Sequence, residues 1–132
     1  MAAITEDYVS FETAKLLKEK GFDVYGDGSF GSETKIWMEY SPFGKIRDVS
    51  SSRPSTKGYP APTLQMAMKW LRETHKLYIN IWADPKDVES NDFDIIFRAQ
   101  VYNGYSKYGI YEFYTYEEAA EIVIKYCLEH LI

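Results

Sequence analysis

YPAPTLQMAMKWLRETHKLYINIWA, residues 59–83, decides the fold, because its hydrophobic period changes partway along. Leu64, Ala67, Met68, Leu71 and His75 recur at helical spacing and predict one apolar stripe. Pro62 is expected to open this helix, since proline is tolerated at the first helical position, where its missing N–H costs nothing. From Leu77 the period becomes two: Leu77, Ile79 and Ile81 take one face, and Tyr78, Asn80 and Trp82 the other. A helix running straight into a half-buried strand is therefore the expected organising unit.

Downstream, DPKDVESND (84–92) is acidic but lacks the central glycine and alternating oxygen ligands of a calcium loop, so it reads as a solvated hairpin loop. Residues 93–102 then alternate. Phe93, Ile95, Phe97, Ala99 and Val101 are expected inward, with Asp94, Ile96, Arg98, Gln100 and Tyr102 outward. Asn103-Gly104 is the preferred pair for a two-residue type I′ turn, which predicts an antiparallel strand over 105–113. Thr115 and Glu118 have the spacing of a capping box at the start of a last helix, 116–131. Its stripe is Ala120, Val123, Ile124, Cys127 and Leu131, which makes Cys127 a small core residue and not a nucleophile.

Upstream, Ser10 caps a helix over 11–20, Val9 and Ala14 are spaced as a staple, and Gly21-Phe22 predicts a Schellman ending. Gly26, Gly28 and Gly31 spell G-x-G-x-x-G, but the next segment, 34–40, reads as a strand. A dinucleotide fingerprint needs a helix there, so a glycine-rich hairpin turn is expected instead. In that strand Ile36, Met38 and Tyr40 are assigned inward, with Trp37 and Glu39 outward. SPFGKIRDVSSSRPSTKG (41–58) is polar and locally basic and reads as a long solvated loop; the functional reading is an arm closing over an anionic ligand or partner.

A chain of 132 residues predicts one domain, 1–132, large enough for a core without disulfide or metal. Its net charge of −5 argues against binding nucleic acid or an anionic membrane surface. One cysteine allows no intramolecular disulfide. With no secretory signal and no long apolar run, a soluble cytoplasmic protein is expected. Aromatic residues are 17% of the chain and twelve residues are tyrosine, which suits half-buried strands and contact surfaces alike.

Three segments, 8–23 (YVSFETAKLLKEKGFD), 61–73 (APTLQMAMKWLRE) and 115–132 (TYEEAAEIVIKYCLEHLI), carry a resemblance. Together they are similar to small uncharacterised proteins of gut bacteria and of their phages and mobile elements. The resemblance implies an accessory gene in an intracellular setting. It transfers no catalytic or binding residue.

The expected fold class is α+β: a mostly antiparallel sheet of four to five strands with three helices on one face, in the order α-β-β-α-β-β-β-α. No catalytic motif appears, His75 and His130 read as packed or capping residues, and no cofactor or metal is expected. The positive signal is the outer sheet face, where alternation places Trp37, Tyr78, Trp82, Arg98 and Tyr102 as binding residues. The leading expectation is a non-enzymatic binding protein acting on a host protein through this face, or self-associating. Alternatives are sequestration of a small anionic ligand such as a nucleotide signal, using Arg98 and the basic loop, and a small enzyme without a motif.

Overall fold

Each helix begins at a hydroxyl that accepts a free amide of the first turn. The computed structural model describes residues 7–22, 38–48, 57–85 and 95–132. In it Ser10 Oγ accepts from the Thr13 N–H ahead of α1 (Phe11–Glu19). Thr63 Oγ1 does the same for Met66 ahead of α2 (Leu64–His75), and Thr115 Oγ1 for Glu118 ahead of α3 (Tyr116–Tyr126). α3 continues into a π-helical segment, Cys127–Leu131. Pro62 does not open α2. Its carbonyl accepts from Val9 N–H at 3.0 Å, and the next residue, Thr63, carries the oxygen that a cap requires.

The helix ends differ in kind. At α1, Gly21 has φ +97°, Phe22 N–H reaches the Leu17 carbonyl at 2.9 Å and Gly21 N–H reaches Lys18 at 3.2 Å, which is the Schellman pattern. At α2 the left-handed residue is Lys76, φ 55°, and the Leu71 carbonyl accepts both Lys76 N–H and Leu77 N–H. Only Lys76 and Leu77 separate α2 from the next strand.

Among the described residues all strand pairs are antiparallel, so the α+β class stands. The described strands divide between two sheets. β1 (Met38–Tyr40), β2 (Ile46–Asp48) and β3 (Tyr59–Pro60) form one, in the order β2-β1-β3. β4 (Tyr78–Pro85), β5 (Ile95–Tyr102) and β6 (Lys107–Phe113) form the other, in the order β4-β5-β6. The segment expected as an open loop over 41–58 therefore contains β2. Its turn is closed by Ser41 N–H to the Lys45 carbonyl (2.8 Å), and Ser41 Oγ accepts from Lys45 N–H (3.1 Å). The glycine-rich segment and the acidic loop after Pro85 lie outside the described residues.

The turn after β5 is longer than the two residues expected. Tyr102 pairs with Lys107, and Asn103 Oδ1 accepts from the N–H groups of both Tyr105 and Ser106. A type I′ turn needs positive φ at both central residues, and Asn103 instead spends its side chain on a side-chain-closed turn. β6 carries one extra residue: Ala99 pairs with Tyr111 and Val101 with Tyr108. Gly109 lies in this bulge at φ +67°, and a Cβ there would stand 2.4 Å from the Tyr111 ring.

The main core joins all three helices to the inner face of the larger sheet, through Leu17, Phe22, Leu71, Ala99, Val101, Ile124 and Leu128. Leu71 and Val123 are buried as expected, whereas Ile79 and Phe97 are half-buried. Trp70, outside the expected stripe, is buried edge-on to Phe22 and His75. At the start of β5 the parity holds but the burial inverts: Ile95, of inward parity, is exposed, and Ile96, on the outer face with Arg98, is buried apart from the main core.

Truncating Leu71 to Ala should cost about 2–5 kcal/mol in chemical denaturation, the range for a large buried aliphatic side chain. Lys76→Gly should keep the fold and gain up to about 1 kcal/mol, because glycine relieves the left-handed strain at the expense of unfolded-state entropy. A loss on that substitution would mean that the Lys76 side chain, whose Nζ donates to the Glu73 carbonyl, outweighs the strain.

Candidate functional site

The face of the larger sheet away from the helices holds the sequence-expected residues of β4 and β5. Leu77, Ile79 and Ile81 pack toward the core, so Tyr78, Asn80 and Trp82 point the other way. The register then brings matched residues side by side. Trp82 is opposite Arg98, which is opposite Glu112, so one row crosses all three strands. A second row runs from Tyr78 through Tyr102 to Lys107, with Asn80 opposite Gln100 between them.

Trp82 and Arg98 meet through a carboxylate that alternation alone did not single out. Trp82 Nε1–H donates to Asp84 Oδ2 at 2.8 Å, and Arg98 Nε lies 3.3 Å from the same oxygen. Arg98 Nη2 is 3.4 Å from Glu112 Oε1. The Nε atom is shielded from solvent and forms no hydrogen bond of good geometry, so the guanidinium is held by charge between two carboxylates. Its charge is already balanced. Tyr78 and Tyr102 are about two-fifths exposed and lie opposite each other at the other end of the face.

Of the other expected outer-face members, one is not described and one lies elsewhere in the fold. Trp37 lies outside the described residues. Glu39, assigned outward, is fully buried and belongs to the smaller sheet, directly opposite Arg47. Arg47 Nε donates to Glu39 Oε1 at 2.8 Å, and Nη2 reaches the same oxygen. Gly58 leaves room for this carboxylate, since a Cβ there would come within 3.1 Å of it. Assigning Glu39 outward assumed that β1 extends the sheet of β4, which it does not.

Elsewhere the titratable groups serve the fold. Glu121 of α3 receives Ser10 N–H, Ser10 Oγ and Thr13 Oγ1, placing a carboxylate at the N-terminus of α1. Burial, with the Glu121 charge added, raises the Tyr40 pKa; its hydroxyl donates to the Val9 carbonyl at 2.7 Å. Burial pushes the Cys127 thiol up to about 12, so it is protonated at neutral pH and a poor nucleophile. Among the described residues no group of acidic, histidine and cysteine side chains is arranged to hold a metal ion, and no helix is long and apolar enough to cross a membrane. A cavity of about 230 Å³ lies between β5, β6 and α3, walled by Val101, Tyr108, Tyr111, Phe113, Ile122 and Tyr126. It is apolar, without convergent charged groups.

No protein-family model, curated protein or solved structure matches the chain.

Asp84 and Glu112 are the members of the site that sequence reasoning missed. Asp84 has the same parity as Trp82, two residues earlier, and was legible as an outer-face residue had the strand been extended through Pro85. Glu112 required the β5–β6 register, which the bulge displaces.

His75 supplies a pH test of the packing beneath this sheet. Its ring lies edge-on to Trp70 at 4.7 Å, its Nε2 is buried without a hydrogen-bond partner, and burial lowers its pKa. A depressed folded-state pKa means that the unfolded chain binds the proton more readily. His75's contribution is therefore fully present above the unfolded value of about 6.5 and is lost as pH falls below it, through the lowered folded-state value. Denaturation midpoints of the parent should fall between about pH 7.5 and about pH 5.5 more steeply than those of His75→Phe. Equal slopes would show that His75 is protonated without cost.

Proposed function

We propose that this is a non-enzymatic binding protein whose contact surface is the outer face of the β4–β5–β6 sheet, and that it acts on a protein partner. The observation that carries this reading is the row Trp82–Arg98–Glu112, tied through Asp84, beside the exposed pair Tyr78–Tyr102. Tryptophan, tyrosine and arginine dominate binding hot spots, since each presents a large area with a polar handle. The carboxylate contacts hold the tryptophan and guanidinium in place before binding, which lowers the ordering cost. The resemblance of the three helical segments to proteins of phages and mobile elements favours a host protein as the partner.

Sequestration of an anionic ligand is less well supported. Arg98 is flanked by Asp84 and Glu112, and Arg47 is committed to Glu39, so each guanidinium has a carboxylate within reach. The apolar walls of the cavity favour binding over catalysis, which needs convergent polar groups. The net charge of −5 likewise argues against nucleic acid as the partner.

Native mass spectrometry of the protein isolated from host lysate should show a retained protein and no retained nucleotide. Trp82→Ala and Arg98→Ala should each keep the parental circular dichroism and melting profile while weakening retention by more than about 1 kcal/mol. Loss of fold in Trp82→Ala would assign that ring to the core. Normal folding with unchanged retention in both variants would remove the face as the contact surface.

A further inference from the structure

β6 and its flanks read YSKYGIYEFY over residues 105–114. About a centre between Gly109 and Ile110 this stretch is chemically self-complementary: Tyr105 matches Tyr114, Lys107 matches Glu112, and Tyr108 matches Tyr111. In an unbroken strand, positions five apart point to opposite faces, and such a match has no consequence. The bulge changes that. Tyr108 and Tyr111 both pair with inward-facing residues, Val101 and Ala99, whereas Lys107 and Glu112 both pair with outward-facing ones, Tyr102 and Arg98. One inserted residue has put Lys107 and Glu112 on one common face and Tyr108 and Tyr111 on the other.

Among the described residues the strand also has a free edge. In the order β4-β5-β6 it is an edge, and among the described residues it pairs with β5 alone. Such an edge presents unpaired N–H and C=O groups to any strand of matching register. Large apolar groups surround it: Tyr105 is 95% exposed, Tyr114 73%, Tyr111 46% and Ile122 of α3 44%. The cavity between β6 and α3 has the exposed Tyr111 and Ile122 in its wall.

We propose that β6 pairs antiparallel with β6 of a second copy of this chain about a two-fold axis. The interface is isologous, as a closed dimer requires: Lys107 meets Glu112 of the partner subunit twice. The sheet becomes continuous through both copies. Tyr105 and Tyr114 are brought together at each end, and Tyr108 and Tyr111 of the two copies meet on the helix side. Bulges ordinarily blunt an edge by twisting it. Here the bulge needs glycine, since a Gly109 Cβ would run into the Tyr111 ring, and it supplies the matching parity. The occupant is a second copy because the charge pattern is complementary to itself when reversed. The dimer engages Glu112 at the end of the outer-face row but leaves Trp82 and Arg98 uncovered on both copies, and it does not rest on the function proposed above.

The test is sedimentation velocity of the full chain over a concentration series, with charge reversals at the two matched positions. The parent should show a concentration-dependent monomer–dimer equilibrium. Lys107→Glu and Glu112→Lys should each weaken it by about tenfold or more, because each places like charges opposite one another twice. Mixing the two variants should restore association to within about threefold of the parent, since every contact then again pairs opposite charges. A parent that is monomeric at every concentration overturns the proposal. So do single reversals that leave the dimer unchanged, or a mixture that does not recover it. Glu112 also lies near Arg98, so folding of each variant is checked by circular dichroism. Should Glu112→Lys not fold, Lys107→Glu and Tyr114→Ala read the same interface without touching Arg98, and a dimer insensitive to both overturns the proposal.

Discussion

A single left-handed residue, Lys76, sets the arrangement on which the rest depends. Its φ of 55° ends α2 and begins β4 almost without a loop, and the Leu71 carbonyl accepts from both residues of the turn. A non-glycine residue in this conformation costs roughly 1–2 kcal/mol. It is held there because Leu71 and Leu77, on either side, are both buried in the core. Once Leu77 points inward, the parity of β4 follows: Ile79 and Ile81 toward the helices, Tyr78, Asn80 and Trp82 away. β5 inherits that parity through its register, placing Arg98 beside Trp82, and β6 places Glu112 beside Arg98.

Electrostatics act within this frame as orientation more than as stability. The pairs Arg98–Asp84, Arg98–Glu112 and Lys125–Glu12 are at or near the surface, where such contacts contribute little to folding. They decide instead where side chains lie. Arg98 is kept between Asp84 and Glu112, opposite Trp82, and Glu121 is kept at the start of α1, fastening the first helix to the last. Glu39 is different in kind. It is buried opposite Arg47, and a buried carboxylate without its partner is strongly unfavourable. That pair makes the smaller sheet a specific structure where composition suggested an open loop. The larger sheet presents two surfaces of different chemistry, an outer face carrying a fixed aromatic and charged row and an edge whose charges are complementary to themselves.

Much was determined by the sequence alone, wherever the signal is local. Hydroxyl caps at Ser10 and Thr115, the glycine stop at Gly21 and the change of period at Leu77 act over a few residues, and the structure contains each of them. Alternation also placed Trp82, Arg98, Tyr78 and Tyr102 on one face, because a strand's parity needs no knowledge of its neighbours. Only the tertiary structure decided what depends on partners distant in the chain. It put β1 in a sheet of its own, burying Glu39 against Arg47, and it buried Trp70 against Phe22 from outside the α2 stripe. It also set the β5–β6 register, in which an extra residue at Gly109 shifts every later pairing and brings Glu112 to Arg98. The physical reason is one of range. Caps and periodicity are set by the chain's own geometry, whereas register, sheet membership and burial are set by whichever distant segment removes most apolar surface from water while leaving no buried charge unpaired.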